Sequence, residues 1–330
     1  MLRLQPPGHL RFVQTDLYEA VFGGGEANVA VSLANYGLDT YFITKLPEHE
    51  IGQACVNQIR RYGVHTDRIL RGGDRVGIYY CEKGASQRAS KVIYDRAYSA
   101  IAMAKREDFD WEELLDGIEW FHFTGITPAL GGEVPLICQD ALEVCKEKGI
   151  TVSCDLNYRK NLWTKAEAKE TMTKLMPYVN VLIANEEDAA DTFGIHAAHQ
   201  DVTSGELDRA AYIDVAHQLM DTFGFDKVGI TLRTSISASR NLWSGLLYDG
   251  EQECFAPQYD MTIVDRVGGG DSFCGGLIYA LISGKDTQDA INFAVAASCL
   301  KHTIEGDFNM MSVEEVEKLA AGDASGRVQR

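Results

Sequence analysis

Residues 150–185 read ITVSCDLNYRKNLWTKAEAKETMTKLMPYVNVLIAN. Two short apolar runs, ITVSCDLN and VNVLIAN, flank KAEAKETMTKLMPY, which has the length and pattern of an amphipathic helix. A helix-length spacer between continuously apolar strands predicts a parallel crossover, because parallel strands cannot be joined by a tight turn and are covered on both faces. The rhythm extends in both directions. EWFHFTG and EVPLICQDALEVCKEKG precede the unit as strand and helix, and AAYIDVAHQLMDTFG and DKVGITL follow it as helix and strand. Upstream, EANVAVSLANYG reads as a helix, DTYFITKL (39–46) as a strand, and IGQACVNQIRRYGV as a helix stopped by Gly63. NLWSGLLYDGEQECFA reads as a hairpin turning at Asp249-Gly250. The expected class is α/β: a Rossmann-type, mainly parallel sheet with helices on both faces.

One region departs from this rhythm. Residues 71–99, RGGDRVGIYYCEKGASQRASKVIYDRAYS, hold two β-like runs around the turn-rich EKGASQ. Together with RFVQTDLYEAVF they predict a small β-sheet lid, drawn from about 3–22 and 71–99, on a single domain spanning 1–330. Residues 196–208 read as a surface insertion, 320–330 as a frayed tail, and His196 and His199 as loop residues without a second metal-binding cluster beside them.

Composition narrows the partners. A formal charge of −17 disfavours nucleic acid and anionic membranes, and no uncharged apolar stretch reaches the ~18 residues of a spanning helix. Eight scattered cysteines without a C-x-x-C pair read as buried reduced thiols, which fits a cytoplasmic protein.

In open α/β sheets, ligands collect at the carboxyl ends of the strands. Those positions are Gly125, Asn157 to Arg159, Asn185 with its acidic run, and DRVGGGDS at 265–272. The last lacks the Lys-Ser/Thr ending of a Walker loop, and it lies too late in the chain for a dinucleotide fingerprint. Glycines at a helix start still expose N–H groups that cradle an anion. Asp271 behind them would repel a bound phosphate, but it suits a proton acceptor for a hydroxyl attacking phosphorus. FGGGEANVA allows a second close backbone approach, with Asn28 offering an amide to hydroxyls.

GGGEANVAVSLANYG and DRVGGGDSFCGGL resemble the two signature regions of the ribokinase-like (PfkB) carbohydrate kinases. GIYYCEKGASQRASKVIYDRAYSA, WFHFTGITPALG, DLNYRKNLWT, ITLRTSISASRNLWSGLLYDG and AASCLKHTIEGDFN are similar, in collinear order, to the 2-keto-3-deoxygluconate kinases within that family. The resemblance implies a ribokinase-like core with a β lid, and ATP-dependent phosphorylation of the keto acid's terminal hydroxyl. Asp271 would be the base and the N–H groups of Gly268, Gly269 and Gly270 the anion hole. Gly24, Gly25, Asn28, Tyr79, Tyr94, Arg96, Arg159 and Asp307 would meet the sugar acid. Asn157, Asn185, Leu232, Arg233, Thr234, Ser235 and Ser237, with Gly268 and Gly270, would meet ATP. Glu187 or Asp188 would serve Mg²⁺ through water, with room for a monovalent cation. An exposed lid sheet favours a homo-oligomer.

Two arginines beside tyrosines, Arg96 and Arg159, favour an acid substrate, since arginine holds carboxylates bidentately. Fructose, ribose and the galacto epimer of the keto acid stay open. Three departures from the family pattern stand out. Arg266 replaces the motif's usual Thr, as is familiar among the ketodeoxygluconate kinases. The N-x-x-E element ends in Asp188. The start MLRLQPPG leads to the expectation that an opening strand of the family is missing.

Overall fold

The computed structural model describes residues 1–197 and 209–326; the rest of the expected insertion and the last four residues of the expected tail lie outside these. Strands β1 (Leu2–Gln5) and β2 (Glu19–Phe22) pair antiparallel. Helix α1 (Gly25–Asn35) follows, then a two-residue ribbon of β3 (Lys45–Leu46) and β4 (Leu70–Arg71) around helix α2 (Glu50–Arg61). Strands β5 (Ile78–Glu82) and β6 (Lys91–Asp95) join β1 and β2 in a four-stranded sheet of order β2-β1-β5-β6.

The main sheet follows. Helices α3 (Trp111–Leu114), α4 (Val134–Lys148), α5 (Lys165–Leu175), α6 (Glu186–Phe193) and α7 (Arg209–Phe223) alternate with β7 (Trp120–Thr124), β8 (Thr151–Asp155), β9 (Val181–Ala184) and β10 (Lys227–Ser237). Strands β7 to β10 are all parallel. Beyond β10 the sheet turns antiparallel through β11 (Arg240–Tyr248), β12 (Glu253–Phe255) and β13 (Tyr259–Thr262), with β12 and β13 both paired to β11. The result is a seven-stranded mixed sheet, antiparallel where short turns replace crossover helices. Helices α8 (Gly269–Ile282), α9 (Thr287–Lys301) and α10 (Val313–Ala320) complete the chain.

Both faces are covered, and β9 shows how. Leu182 and Ala184 pack into the core with α4, α5 and α7, whereas Val181 and Ile183 pack into the opposite core with α1, α8 and α9. A run that is apolar at every position is therefore a strand buried twice over.

The expected strand at 39–46 is much shorter than its sequence suggests. Only Lys45–Leu46 pair in a ladder, and Tyr41 makes one isolated bridge to His65. Residues 39–46 and the terminal strand β7 both line one large cavity, so neither has a neighbouring strand on that side to extend a ladder. The eight cysteines are free thiols, all buried but the half-buried Cys299. No helix of the described residues is long and apolar enough to cross a membrane.

Helix α8, which starts at the glycine-rich motif, is wedged between two others. A Cβ on Gly275 would stand 2.7 Å from Ser32 Cβ on α1, and one on Gly276 would stand 3.0 Å from Ala294 Cα on α9. Gly275→Val and Gly276→Val should each lower stability by about 1–3 kcal/mol, as overpacked cores do. The urea midpoint of each variant measures this; unchanged midpoints would mean that α8 is not clamped.

Candidate active site

The carboxyl ends of β8 and β9, the starts of α1 and α8, and the four-stranded sheet enclose a cavity of about 1630 Å³. It runs on between β7 and residues 38–46. Asp155, Asn157, Tyr158, Arg159, Asn185, Glu187 and Asp188 line it from the strand ends, and Gly268 to Asp271 from the motif.

Asp271 occupies the first turn of α8. Its Oδ2 accepts a 2.6 Å hydrogen bond from Asn28 Nδ2, and Gly24 N–H donates to Asn28 Oδ1 at 3.2 Å. Asn28, expected to meet sugar hydroxyls, is thus buried with both amide atoms engaged, and it holds the carboxylate. Burial pushes the Asp271 carboxyl up to about 6; the Asn28 bond opposes this, Asp307 and Glu26 add to it, and Arg159 opposes it. The rise from the ordinary aspartate value of about 4 has its main cause in the low-dielectric cleft, which disfavours the charged form.

Gly268 caps α8 in the left-handed region at φ 82°, and a Cβ there would lie 2.0 Å from the Asp307 carbonyl oxygen. Gly269 N–H reaches the Arg266 carbonyl at a long 3.4 Å, while Gly270 is exposed on the cavity with no atom within 4 Å of an added Cβ. A helix start leaves its first N–H groups without intrahelical acceptors, so this turn presents donors and partial positive charge to the cavity.

The remaining expected residues fall into distinct places. Gly24 precedes α1 at φ 145°, and Gly25 stands close enough to Asp271 that a Cβ would meet its Oδ1 at 3.6 Å. Tyr79 and Tyr94 are cross-strand partners on β5 and β6. Tyr94 is open to the cavity, and the Arg96 guanidinium stacks over its ring at 4.2 Å. Arg96 Nε and Nη2 are buried without partners. Burial pulls the Arg96 pKa down; Tyr94 opposes this, the neighbouring Arg159 adds to it, and Glu26 opposes it. Arg159 is exposed on the same cavity.

Asp307 is buried with both oxygens taken: Oδ1 accepts from Arg3 at 2.6 Å and Oδ2 from the Tyr79 hydroxyl. On β10, Arg233 and Ser235 line the cavity, whereas their neighbours Leu232, packed in the core, and Thr234 alternate away from it; Ser237, past a register shift after Ser235, does not line it. Arg266 donates to the Ala238 carbonyl at 3.0 Å and lines the cavity near Arg233, with its pKa held down by burial and by that second cation.

Asp188 accepts from Tyr158 N–H at 3.0 Å, and its own N–H is capped by Asn185 Oδ1 at 2.7 Å. Burial raises it to about 6. Asp155, at the end of β8, is raised far above the usual carboxylate range by burial and by Asp188 and Asp271. Asp155 is therefore flanked by both other acids, and Arg159 is the cation that acts on all three. Among the described residues, no three His, Cys, Asp or Glu side chains converge to cage a metal directly.

Two groups, Glu26 and Asp155, lie inside quoted motifs but were not singled out from the sequence. Glu26 Oε1 accepts from Thr124 N–H at 3.1 Å, Thr124 Oγ1 at 2.9 Å and the Thr127 hydroxyl, tying α1 to the end of β7. Asp155 was findable, since it ends the strand in SCDLN. Such an assembly of N–H donors, a proton-accepting carboxylate and facing arginines can transfer a phosphoryl group from one anion to a hydroxyl of another.

Comparison with known proteins agrees. Residues 13–312 match the pfkB family carbohydrate kinase profile. A 2-dehydro-3-deoxygalactonokinase of Haloferax volcanii is 31% identical over 99% of this chain and 96% of its own. A 2-dehydro-3-deoxygluconokinase of Bacillus subtilis is 24% identical over 90% of this chain and 85% of its own. The crystal structure of a 2-dehydro-3-deoxygluconokinase from Thermotoga maritima superposes with a TM-score of 0.94 at 57% identity, covering 98% of this chain and 96% of that one. The chain belongs to the pfkB family of carbohydrate kinases.

The motif glycines can be separated by substitution. Gly270→Ala should keep or raise thermal stability, by up to about 1 kcal/mol, because alanine favours a helix. Its kcat/KM should nevertheless fall, because the methyl group stands where the ligand approaches. Gly268→Ala should lower stability, since its φ and its contact with Asp307 leave no room for a Cβ. Melting curves and steady-state rates on both variants test the pair; equal behaviour would contradict it. In the free enzyme, the carboxylate form of Asp271 is lost as pH falls through about 6. The kcat/KM profile should therefore be flat above that pH and drop about tenfold per unit below it.

Proposed function

We propose that this carbohydrate kinase transfers the γ-phosphoryl group of ATP to the terminal hydroxyl of 2-keto-3-deoxygluconate, giving 2-keto-3-deoxy-6-phosphogluconate and ADP. The observation that carries the acid substrate is the pair Arg96 and Arg159 on one wall of the cavity, the first with two unpartnered guanidinium nitrogens. A neutral sugar needs no such cation, whereas a carboxylate gains a charge-assisted bidentate bond. Stacking on Tyr94 keeps the Arg96 fork oriented before the substrate arrives.

Asp271 accepts the hydroxyl proton late, as the oxygen bonds to phosphorus, because a carboxylate of pKa about 6 cannot ionise an alcohol in advance. Asn28 fixes the carboxylate's orientation, and the N–H groups at the start of α8 receive the charge that builds on the transferred group. Arg233, Arg266, Asn157 and Asn185 all line the cavity, which supports their meeting the nucleotide and its phosphates.

Mutually repelling carboxylates without a direct cage suit Mg²⁺, an ion that keeps several waters and leans on substrate phosphates. Glu187 and Asp188 would hold it through water, and when bound it neutralises phosphate oxygens. The four-stranded sheet, carrying Tyr79 and Tyr94, is the lid over the sugar acid. Its outer strand β6 is the edge of that sheet and is exposed along its length, which supports pairing of two copies edge to edge. The Haloferax volcanii relative favours the galacto epimer as the second reading.

ADP release coupled to a colour reaction, run over gluco and galacto keto acids, fructose and ribose, tests the substrate. Asp271→Asn should cost about 10²–10⁴-fold in kcat with ATP affinity nearly unchanged. Arg96→Ala and Arg159→Ala should each raise KM for the keto acid well beyond any change with a neutral sugar. Equal losses on both substrates would remove the case for an acid.

A further inference from the structure

Arg3 lies on β1, fully buried, far in sequence from the glycine-rich motif. Its Nη2 donates to Asp265 Oδ2 at 2.7 Å and its Nη1 to Asp307 Oδ1 at 2.6 Å. Both carboxylates have further duties. Asp265 opens the motif, and its Oδ1 accepts from Val267 N–H at 3.1 Å, inside the turn that leads to Gly268. Its Oδ2 also accepts from Gly306 N–H at 3.3 Å. Asp307 accepts from Tyr79, its carboxylate fills the space where a Cβ on Gly23 would stand, and its carbonyl packs against Gly268. One guanidinium therefore joins the four-stranded sheet, the first glycine turn and the second.

We propose that Arg3 is a positioning residue for phosphoryl transfer: it holds the two glycine turns and the sheet above them in register around Asp271, and its charge shields Asp271 from Asp307. The inference rests on the reading of Asp271 as proton acceptor. Five charged groups face that carboxyl or its surroundings: Glu26 from α1, Asp155 from β8, Arg159 after it, Lys301 from α9, and Asp307. The acids outnumber the bases among them. Lys301 is buried against the Asp265 carbonyl at 3.3 Å and cannot replace a guanidinium that bridges two carboxylates. Removing Arg3 leaves Asp307 uncompensated beside Asp271, and the added negative field favours protonated Asp271.

The test uses the full chain with whichever sugar supports ADP release, and reads kcat, KM for ATP and the acid limb of the pH profile. Arg3→Met should lower kcat about 10²-fold by misaligning the turns. KM for ATP should change little, and the acid limb should move upward by about one pH unit. Arg3→Lys keeps the charge but bridges only one carboxylate, so kcat should fall about tenfold while the acid limb stays in place. Combining Arg3→Met with Asp307→Asn should return the acid limb to its wild-type position and leave kcat low. A variant with a lowered melting temperature but wild-type kcat and acid limb would reduce Arg3 to a structural residue and overturn the proposal. If Arg3→Met does not fold, Arg3→Lys decides alone: wild-type kcat overturns it. Inactivity of the wild-type enzyme on the keto acid would sink the substrate assignment without touching the Arg3 result.

Discussion

The ion cluster of Arg3 with Asp265 and Asp307 is the constraint around which the rest of the site is arranged. Removing one cation and two carboxylates from water carries a desolvation cost of several kcal/mol per ion, offset only when geometry and extra hydrogen bonds are both good. Here the extra bonds come from Val267, Gly306 and Tyr79. Because each acceptor also touches a glycine turn, the cluster fixes where Gly23 and Gly268 lie and hence where Asn28 and Asp271 meet. Deleting the cation alone would strand two buried charges, and breaking a buried pair in that way is strongly destabilising.

Charge is sorted within the cavity against the sign of the whole chain. A protein of formal charge −17 repels an anion at long range, and Asp188 and Asp271 both crowd Asp155 with like charge at short range. The arginines offset both effects locally: Arg96 and Arg159 on one side, Arg233 and Arg266 on the other. Each pair contains two like charges in proximity, and burial already weakens the hold of Arg96 and Arg266 on their protons. Anionic groups brought by ligands would relieve this repulsion.

Much of this was legible in the sequence. The doubly buried strand 181–184 announces itself as an unbroken apolar run and 151–155 by its place between two helix-length spacers, and their polar successors Asn157, Arg159 and Asn185 all reach the cavity. The motif glycines and Asp271 were legible because few other jobs need that residue order. Arg3 was hidden, and for a physical reason: in LRLQ, alternation argues that the leucines face inward and the polar residues outward. The structure does the reverse, burying Arg3 and Gln5 while Leu2 and Leu4 are only half-buried, because the inner face meets carboxylates rather than a core. Residues 39–46 misled in the opposite way, since a strand-like composition cannot make a ladder without a neighbour. Leu232 and Thr234 were grouped with Arg233 by adjacency, whereas the pleat sends neighbours to opposite faces, and Ser237 lies beyond the register shift that follows Ser235.

The bonds that define the site join residues very far apart along the chain: Arg3 to Asp307 across 304 positions and Asn28 to Asp271 across 243. Contacts of such span form late, because closing the loop costs entropy before any contact rewards it. On the ribosome the central βα units can fold while the last helices are still unmade, but the acceptor for Arg3 emerges only near the end of synthesis. A partly synthesised chain, or one clipped before residue 307, would hold its sheet yet leave Arg3 without one of its two carboxylates. The full Arg3 bridge is thereby contingent on a chain that extends at least to residue 307.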